Sequence, residues 1–187
     1  NVVITEIDPI CALKAIMDGF RVMKMDDAAS IGDIFCTATG MKDVIVGRHI
    51  DSMKEGAIIS NTGHYDCEIN IPDLEARSSE IFTIRENNEA FKLNDGRTIH
   101  LLARGRLVNL AAAEGHPSEV VDMSFANQFL ALCRLAKEGS SYSNTVYDIT
   151  PEQDRELAKL KLSTTGITID QLTDAQIKYS TDYSAGT

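Results

Sequence analysis

The chain has 187 residues, 43% of them apolar and 25% charged, with a formal net charge of −10. That length carries one full domain with appendages, and the composition suits an α/β globule, while the acidic balance and lack of a basic run exclude a nucleic-acid surface. No stretch approaches the roughly 18 consecutive apolar residues of a membrane span, and no charged-then-apolar leader precedes a cleavage site, so a cytoplasmic protein with no membrane partner is expected.

Cys11, Cys36, Cys67 and Cys133 are irregularly spaced without a C-x-x-C pair; buried free thiols are expected, and no metal site. The chain opens on Asn1 in mid-pattern, as expected of a piece of something longer.

Val2-Val3-Ile4-Thr5 is β-branched and reads as a fully buried strand. Asp8-Pro9 supplies an N-cap with proline at the first helical position, and Ile10, Leu13, Ile16, Met17 and Phe20 carry the apolar face of a helix ending at Gly19. A short strand over 21–25 and a short helix over 26–31 follow. Asp33–Thr37 is another buried strand, stopping at Ala38-Thr39-Gly40; 47–54 is helical and 57–60 a strand. This is the rhythm of a parallel sheet with crossover helices. Strands are next expected at 81–84, 90–93 and 98–102, the last two joined by the hairpin signal Asn94-Asp95-Gly96-Arg97. A long helix runs through Met123, Phe129 and Leu135-Ala136, a further one from Thr150-Pro151-Glu152 to about Leu162, and a last one starts near Leu172-Thr173-Asp174. Residues 137–145, "KEGSSYSNT", read as a linker, dividing the chain into 1–136 and 137–187.

Glu6 ends the first strand. In a dinucleotide-binding sheet an acid at such a position accepts hydrogen bonds from the adenosine ribose; a solvated strand-end Glu is the plainer alternative. Thr37-Ala38-Thr39-Gly40 and Asn61-Thr62-Gly63-His64 also sit at carboxyl ends of parallel strands, where small residues let a cofactor approach the backbone. His64 is either a satisfied loop histidine or a polar group beside a redox centre. His116 either shapes the start of a long helix or faces a ligand; His49 and His100 read as structural. Asp66 and Glu68 read as a solvent-facing acidic pair without an acid/base role. The Gly-rich pyrophosphate turn, which belongs about 20 residues ahead of Glu6, is absent.

The stretches "VVITEIDPICALKA", "IFCTATG", "GAIISNTGHYDCEI", "GRTIHLLARGRLVNLAAAEGHPSEVVDMSFANQ" and "LTDAQIKY" together resemble S-adenosylhomocysteine hydrolase (adenosylhomocysteinase) over essentially the whole chain. The resemblance implies a Rossmann-like sheet, here lacking its first strand and Gly-rich loop, with carboxyl-terminal helices. It implies tightly held NAD that oxidises the substrate ribose, elimination of homocysteine, addition of water and return of the hydride, with S-adenosylhomocysteine and adenosine as small-molecule partners. It also implies a homotetramer of the full-length protein. Carried over by position, Glu6 is similar to the family's ribose-binding acid, Thr62, Gly63 and His64 to its nicotinamide-side turn, and Asn109 to its carboxamide contact. Thr39 lies in the turn that passes the cofactor, His116 resembles the histidine near substrate and cofactor, and Phe125 resembles a hinge-region aromatic. The resemblance makes His64 and His116 the catalytic candidates. Cys11 stands where many members have Asn near the adenosine, Glu114 replaces a smaller residue, and "KYSTDYSAGT" lacks the Lys/Tyr tail of longer members. The domain that supplies the family's catalytic lysine and aspartates is missing, so no turnover is expected of these residues alone. A noncatalytic NAD-binding or subunit-interaction module and a 2-hydroxyacid dehydrogenase are the alternatives.

Overall fold

The computed structural model describes residues 1–182; the last part of "KYSTDYSAGT" lies outside them. Two compact units follow one another, Asn1–Gly115 and a second that begins at His116. Residue 136, where the sequence suggested a division, lies near the end of the second unit's longest helix.

In the first unit, β1 (Val3–Ile4), α1 (Pro9–Met17), β2 (Arg21–Val22) and α2 (Met25–Ala29) precede β3 (Ile34–Thr37), α3 (Gly47–Ser52) and β4 (Ile58–Asn61). Then come α4 (Ile71–Ala76), β5 (Ser78–Arg85), β6 (Asn88–Leu93), β7 (Thr98–Leu102) and α5 (Val108–Ala111). Strands β1 and β2 form a parallel pair, and the other five line up as β3-β4-β7-β6-β5. Within that sheet β3, β4 and β7 are parallel, while β6 runs antiparallel to β7 and β5. The result is the mostly parallel α/β architecture of a Rossmann-like domain.

Local chemistry explains the clearest elements. Asp8 Oδ1 accepts the backbone N–H of Ile10 (2.7 Å) and Cys11 (3.2 Å), satisfying donors the first turn of α1 cannot pair internally. After Met17 the chain turns at Gly19, whose φ of +89° favours glycine. The Asn94–Arg97 hairpin forms as its sequence suggests, with Asp95 Oδ1 accepting the Arg97 N–H at 3.0 Å.

The core lies on one face of the sheet. Phe35, Ile59 and Leu101 share a row across β3, β4 and β7, and Ile50 of α3, Met53 at its end and Leu74 of α4 join them in one buried cluster. The opposite face is open at β3, where Ile34 is 69% exposed and Cys36 is exposed too. The expectation of fully buried strands therefore needs correction: β3 alternates exposed and buried residues, and β1 is only half-buried. The physical reason is that, among the described residues, nothing covers the face of β3 that carries Ile34 and Cys36. Among the described residues β1 pairs only with β2, and β3 only with β4, so each also keeps an unpaired edge. Helix α1 buries none of its apolar residues. The thiols are free, but Cys11, Cys36 and Cys67 are exposed rather than buried.

The second unit contains α6 (Ser118–Glu138), α7 (Pro151–Thr164) and α8 (Asp174–Asp182). Thr150 caps α7 by accepting the Gln153 N–H at 3.2 Å. Helices α6 and α7 are tied by Asn127 Nδ2 donating to Asp154 Oδ1 and by Lys161 Nζ to Asp122 Oδ2, each 2.7 Å. No helix among the described residues is long and apolar enough to cross a membrane.

Candidate functional site

In open α/β sheets ligands bind beyond the carboxyl ends of parallel strands, at the point where the strand order parts. Here those ends are the turns after β1, β3 and β4; the gap between the unpaired edges of β1 and β3 is a groove of about 790 Å³ that runs along both strands, from Asn1, Asp33 and Lys54 to Glu6, Thr37 and Thr39. Glu6 and Thr39 thus border one groove from its two sides. Glu6 is exposed, and its Oε1 accepts the N–H of Ile7 (2.6 Å) and Asp8 (3.0 Å), which fixes the carboxylate at the turn into α1. Cys11, exposed on the first turn of α1, is not among the residues lining the groove.

Past β4 the chain makes a tightly held loop. Asn61, fully buried, accepts the Gly63 N–H (2.6 Å) and the Thr37 hydroxyl (3.0 Å) through Oδ1. Its Nδ2 donates to the carbonyls of Tyr65 and Gly105 (both 2.8 Å) and shares a proton with that of Gly63 (3.2 Å). One amide thereby joins the end of β3, the loop after β4 and the segment after β7. Thr62 Oγ1 donates to the Thr37 carbonyl at 3.1 Å. His64 is exposed, edge-on to Tyr65 with ring centroids 4.6 Å apart. It borders a shallower hollow of about 410 Å³ with Asp66, Arg106, Leu107 and Leu110.

The segment that brings up this hollow is strained. Ala103 and Arg104 take φ values of +52° and +50°, and Gly105 follows at +72°. A left-handed conformation costs a non-glycine residue about 1 kcal/mol or more. Arg104 is held there by Glu75 (2.8 Å) and Glu89 (3.2 Å), and the Ala103 N–H by the Asn87 carbonyl (2.9 Å). Immediately beyond, Leu107 bridges to Asn61, and α5 carries Asn109. Asn109 Oδ1 is buried without a hydrogen-bond partner among the described residues. A buried amide oxygen left unsatisfied is costly, and one placed two residues beyond the strand-end bridge suits the amide donor of a nicotinamide carboxamide. His116 opens the second unit, two residues before α6.

Glu68 corrects the sequence reading. It is fully buried, not solvent-facing, because the turn after β3 supplies it with donors: the N–H of Thr39 (3.0 Å), the N–H of Gly40 (2.7 Å) and the Thr39 hydroxyl (3.0 Å). Burial pushes its pKa up, but the bonds from Thr39 and Gly40 outweigh that and hold it below the usual carboxylate range. His49, 2% exposed, accepts the Val46 N–H at 3.2 Å, and its Nε2 lies 2.9 Å from Asp26 Oδ1.

Residues 1–115 match the family described as S-adenosyl-L-homocysteine hydrolase, NAD binding domain. The chain belongs to the S-adenosyl-L-homocysteine hydrolase family. The whole chain is 51% identical to 44% of an adenosylhomocysteinase from Nostoc and 51% identical to 46% of one from Archaeoglobus fulgidus. It is also 50% identical, again over its full length, to 45% of an S-inosyl-L-homocysteine hydrolase from Methanococcus maripaludis. It thus spans under half the length of the relatives it matches. NAD is the cofactor this family's domain takes. Sequence reasoning placed Glu6, Thr39, Gly63 and His64 at strand ends; it named Asn61 in the second turn without its role and missed that of Glu68, and these two side chains hold the ends of β3 and β4 together.

Proposed function

We propose that the protein to which this chain belongs catalyses the NAD-dependent, reversible hydrolysis of S-adenosyl-L-homocysteine to adenosine and L-homocysteine, with these residues as its cofactor-holding portion. The observation that carries this reading is the set of turns at the carboxyl ends of β1, β3 and β4, which hold Glu6, Thr39 and Gly63, in a chain matching the NAD-binding domain of that family. Bound NAD supplies the chemistry by taking a hydride from the substrate ribose and later returning it.

The residues of the chain bind and orient. Glu6 accepts hydrogen bonds from the adenosine ribose, and its charge disfavours a 2′-phosphate. Thr39, Thr62 and Gly63 let the other half of the dinucleotide approach the backbone. Asn109 Oδ1 accepts from the carboxamide. His64 holds or moves a proton beside the reacting carbon, and His116 serves the substrate side. Cys11 contributes at the adenosine end. A parallel strand and its Gly-rich turn, from polypeptide outside these 187 residues, complete the groove between the unpaired edges of β1 and β3. The catalytic lysine and aspartates also lie outside, so these residues alone do not turn over. A cytoplasmic homotetramer is the assembly this reading expects.

The test is to purify the complete protein, denature it and assay the released dinucleotide enzymatically. About one NAD per chain, with thioether formed from adenosine and homocysteine, supports the reading. Protein that neither carries NAD nor takes it up contradicts it. Running inosine in parallel decides the base, since relatives named for either nucleoside are equally similar.

A further inference from the structure

Glu68 and Gly63 are built around one another. A Cβ added at Gly63 would fall inside the contact radius of Glu68 Oε1, so the glycine is required by the carboxylate passing against it, with no positive φ involved. The other end of Glu68 is equally fixed, because its backbone carbonyl accepts the N–H of Val44 (2.8 Å) and Ile45 (3.0 Å). With three donors from Thr39 and Gly40 on its side chain, Glu68 joins the turn after β3 to the loop after β4 across 28 residues of sequence. Asn61 anchors the near end of that loop and Glu68 its far end, with exposed His64 between them.

We propose that Glu68 is a positioning residue of the dinucleotide site: its carboxylate clamps the Thr39–Gly40 turn to the Gly63–His64 loop and fixes the rim on which the nicotinamide half rests. The proposal rests on the reading of the preceding subsection. By that reading the adenosine ribose lies at Glu6, across the groove, so the clamp acts on one half of the ligand only.

The test uses the complete protein freed of cofactor, with NAD and ADP-ribose titrated calorimetrically against wild type and Glu68→Gln. The amide keeps the size of the side chain but turns a donor toward the N–H groups of Thr39 and Gly40. NAD affinity should fall about tenfold, the worth of one lost charge-assisted bond, while ADP-ribose, lacking nicotinamide, changes less than about twofold. Should Glu68→Gln not fold, Glu68→Asp, which keeps the charge but retracts it by one methylene, should show the same split. Equal losses for both ligands, or no loss for either, overturn the clamp while leaving the dinucleotide reading intact. Wild-type protein that binds neither ligand refutes that reading and the clamp with it.

Discussion

Replacing Asn61 by alanine removes the amide that the carboxyl edge of the sheet is built on. The substitution strips the Gly63 N–H and the Gly105 carbonyl of buried partners and the Tyr65 carbonyl of a partly buried one; the Thr37 hydroxyl can rotate to another acceptor. Counting about 1–2 kcal/mol for each buried orphan and up to about 1 for the third gives a loss of about 2–5 kcal/mol. That is a large share of a domain's stability of about 5–15 kcal/mol. Urea unfolding followed by circular dichroism reads it directly: with a slope of about 2 kcal/mol per molar, the midpoint falls by about 1–2.5 M. N61D makes the sharper contrast. Its carboxylate faces carbonyls that Asn61 donates to, so at neutral pH it costs at least as much as alanine, and it recovers on acidification as the carboxyl gains a proton to donate. A midpoint shift below about 0.5 M for Asn61→Ala would refute the claim that this amide organises the edge.

Glu6→Ala in the complete protein should weaken NAD by about 1.5–3 kcal/mol if a charge-assisted ribose bond is lost; equilibrium dialysis showing unchanged affinity removes Glu6 from the site. Arg104 offers a backbone test, since Arg104→Ala and Arg104→Gly lose the same ion pairs but only alanine keeps the left-handed strain, so glycine should be the more stable by about 1 kcal/mol in denaturant melts. Equal midpoints would show that the strain is not real. Burial, more than the Arg48 charge, depresses the His49 pKa, and nearby Asp26 opposes this without reversing it. The neutral ring is thus the folded form: its contribution is complete above the unfolded value near 6.5 and is lost as the pH falls below it. Thermal melts between pH 7.5 and 5.5 should therefore fall more steeply for wild type than for His49→Gln, and parallel curves would contradict the assignment.

What could be read from the sequence was local. Asp8-Pro9 forms its cap and Asn94–Arg97 its hairpin because the groups that decide them lie within three or four residues. Helix α4, Ile71–Ala76, was not expected from the sequence, although its Asn70 cap and Pro72 were signals. Strand β5 proved longer than its apolar centre because an edge strand tolerates Glu80 and Arg85. Burial was harder to read. β-branched composition says that a strand can be buried, not that a neighbour covers it, and among the described residues β1 and β3 are each paired on one edge only. For the site, strand ends marked Glu6, Thr39, Gly63 and His64, since position along an open sheet is nearly a one-dimensional property. Glu68 was misread for the opposite reason: its burial depends on donors 28 and 29 residues away, which no spacing rule reveals.

The account turns on where the dinucleotide lies. A crystal structure of the complete protein with NAD should place the adenosine ribose at the Glu6 carboxylate and the carboxamide nitrogen on Asn109 Oδ1, with Thr39 and Gly63 against the ligand between them. NAD seated away from the carboxyl ends of β1, β3 and β4 would contradict it.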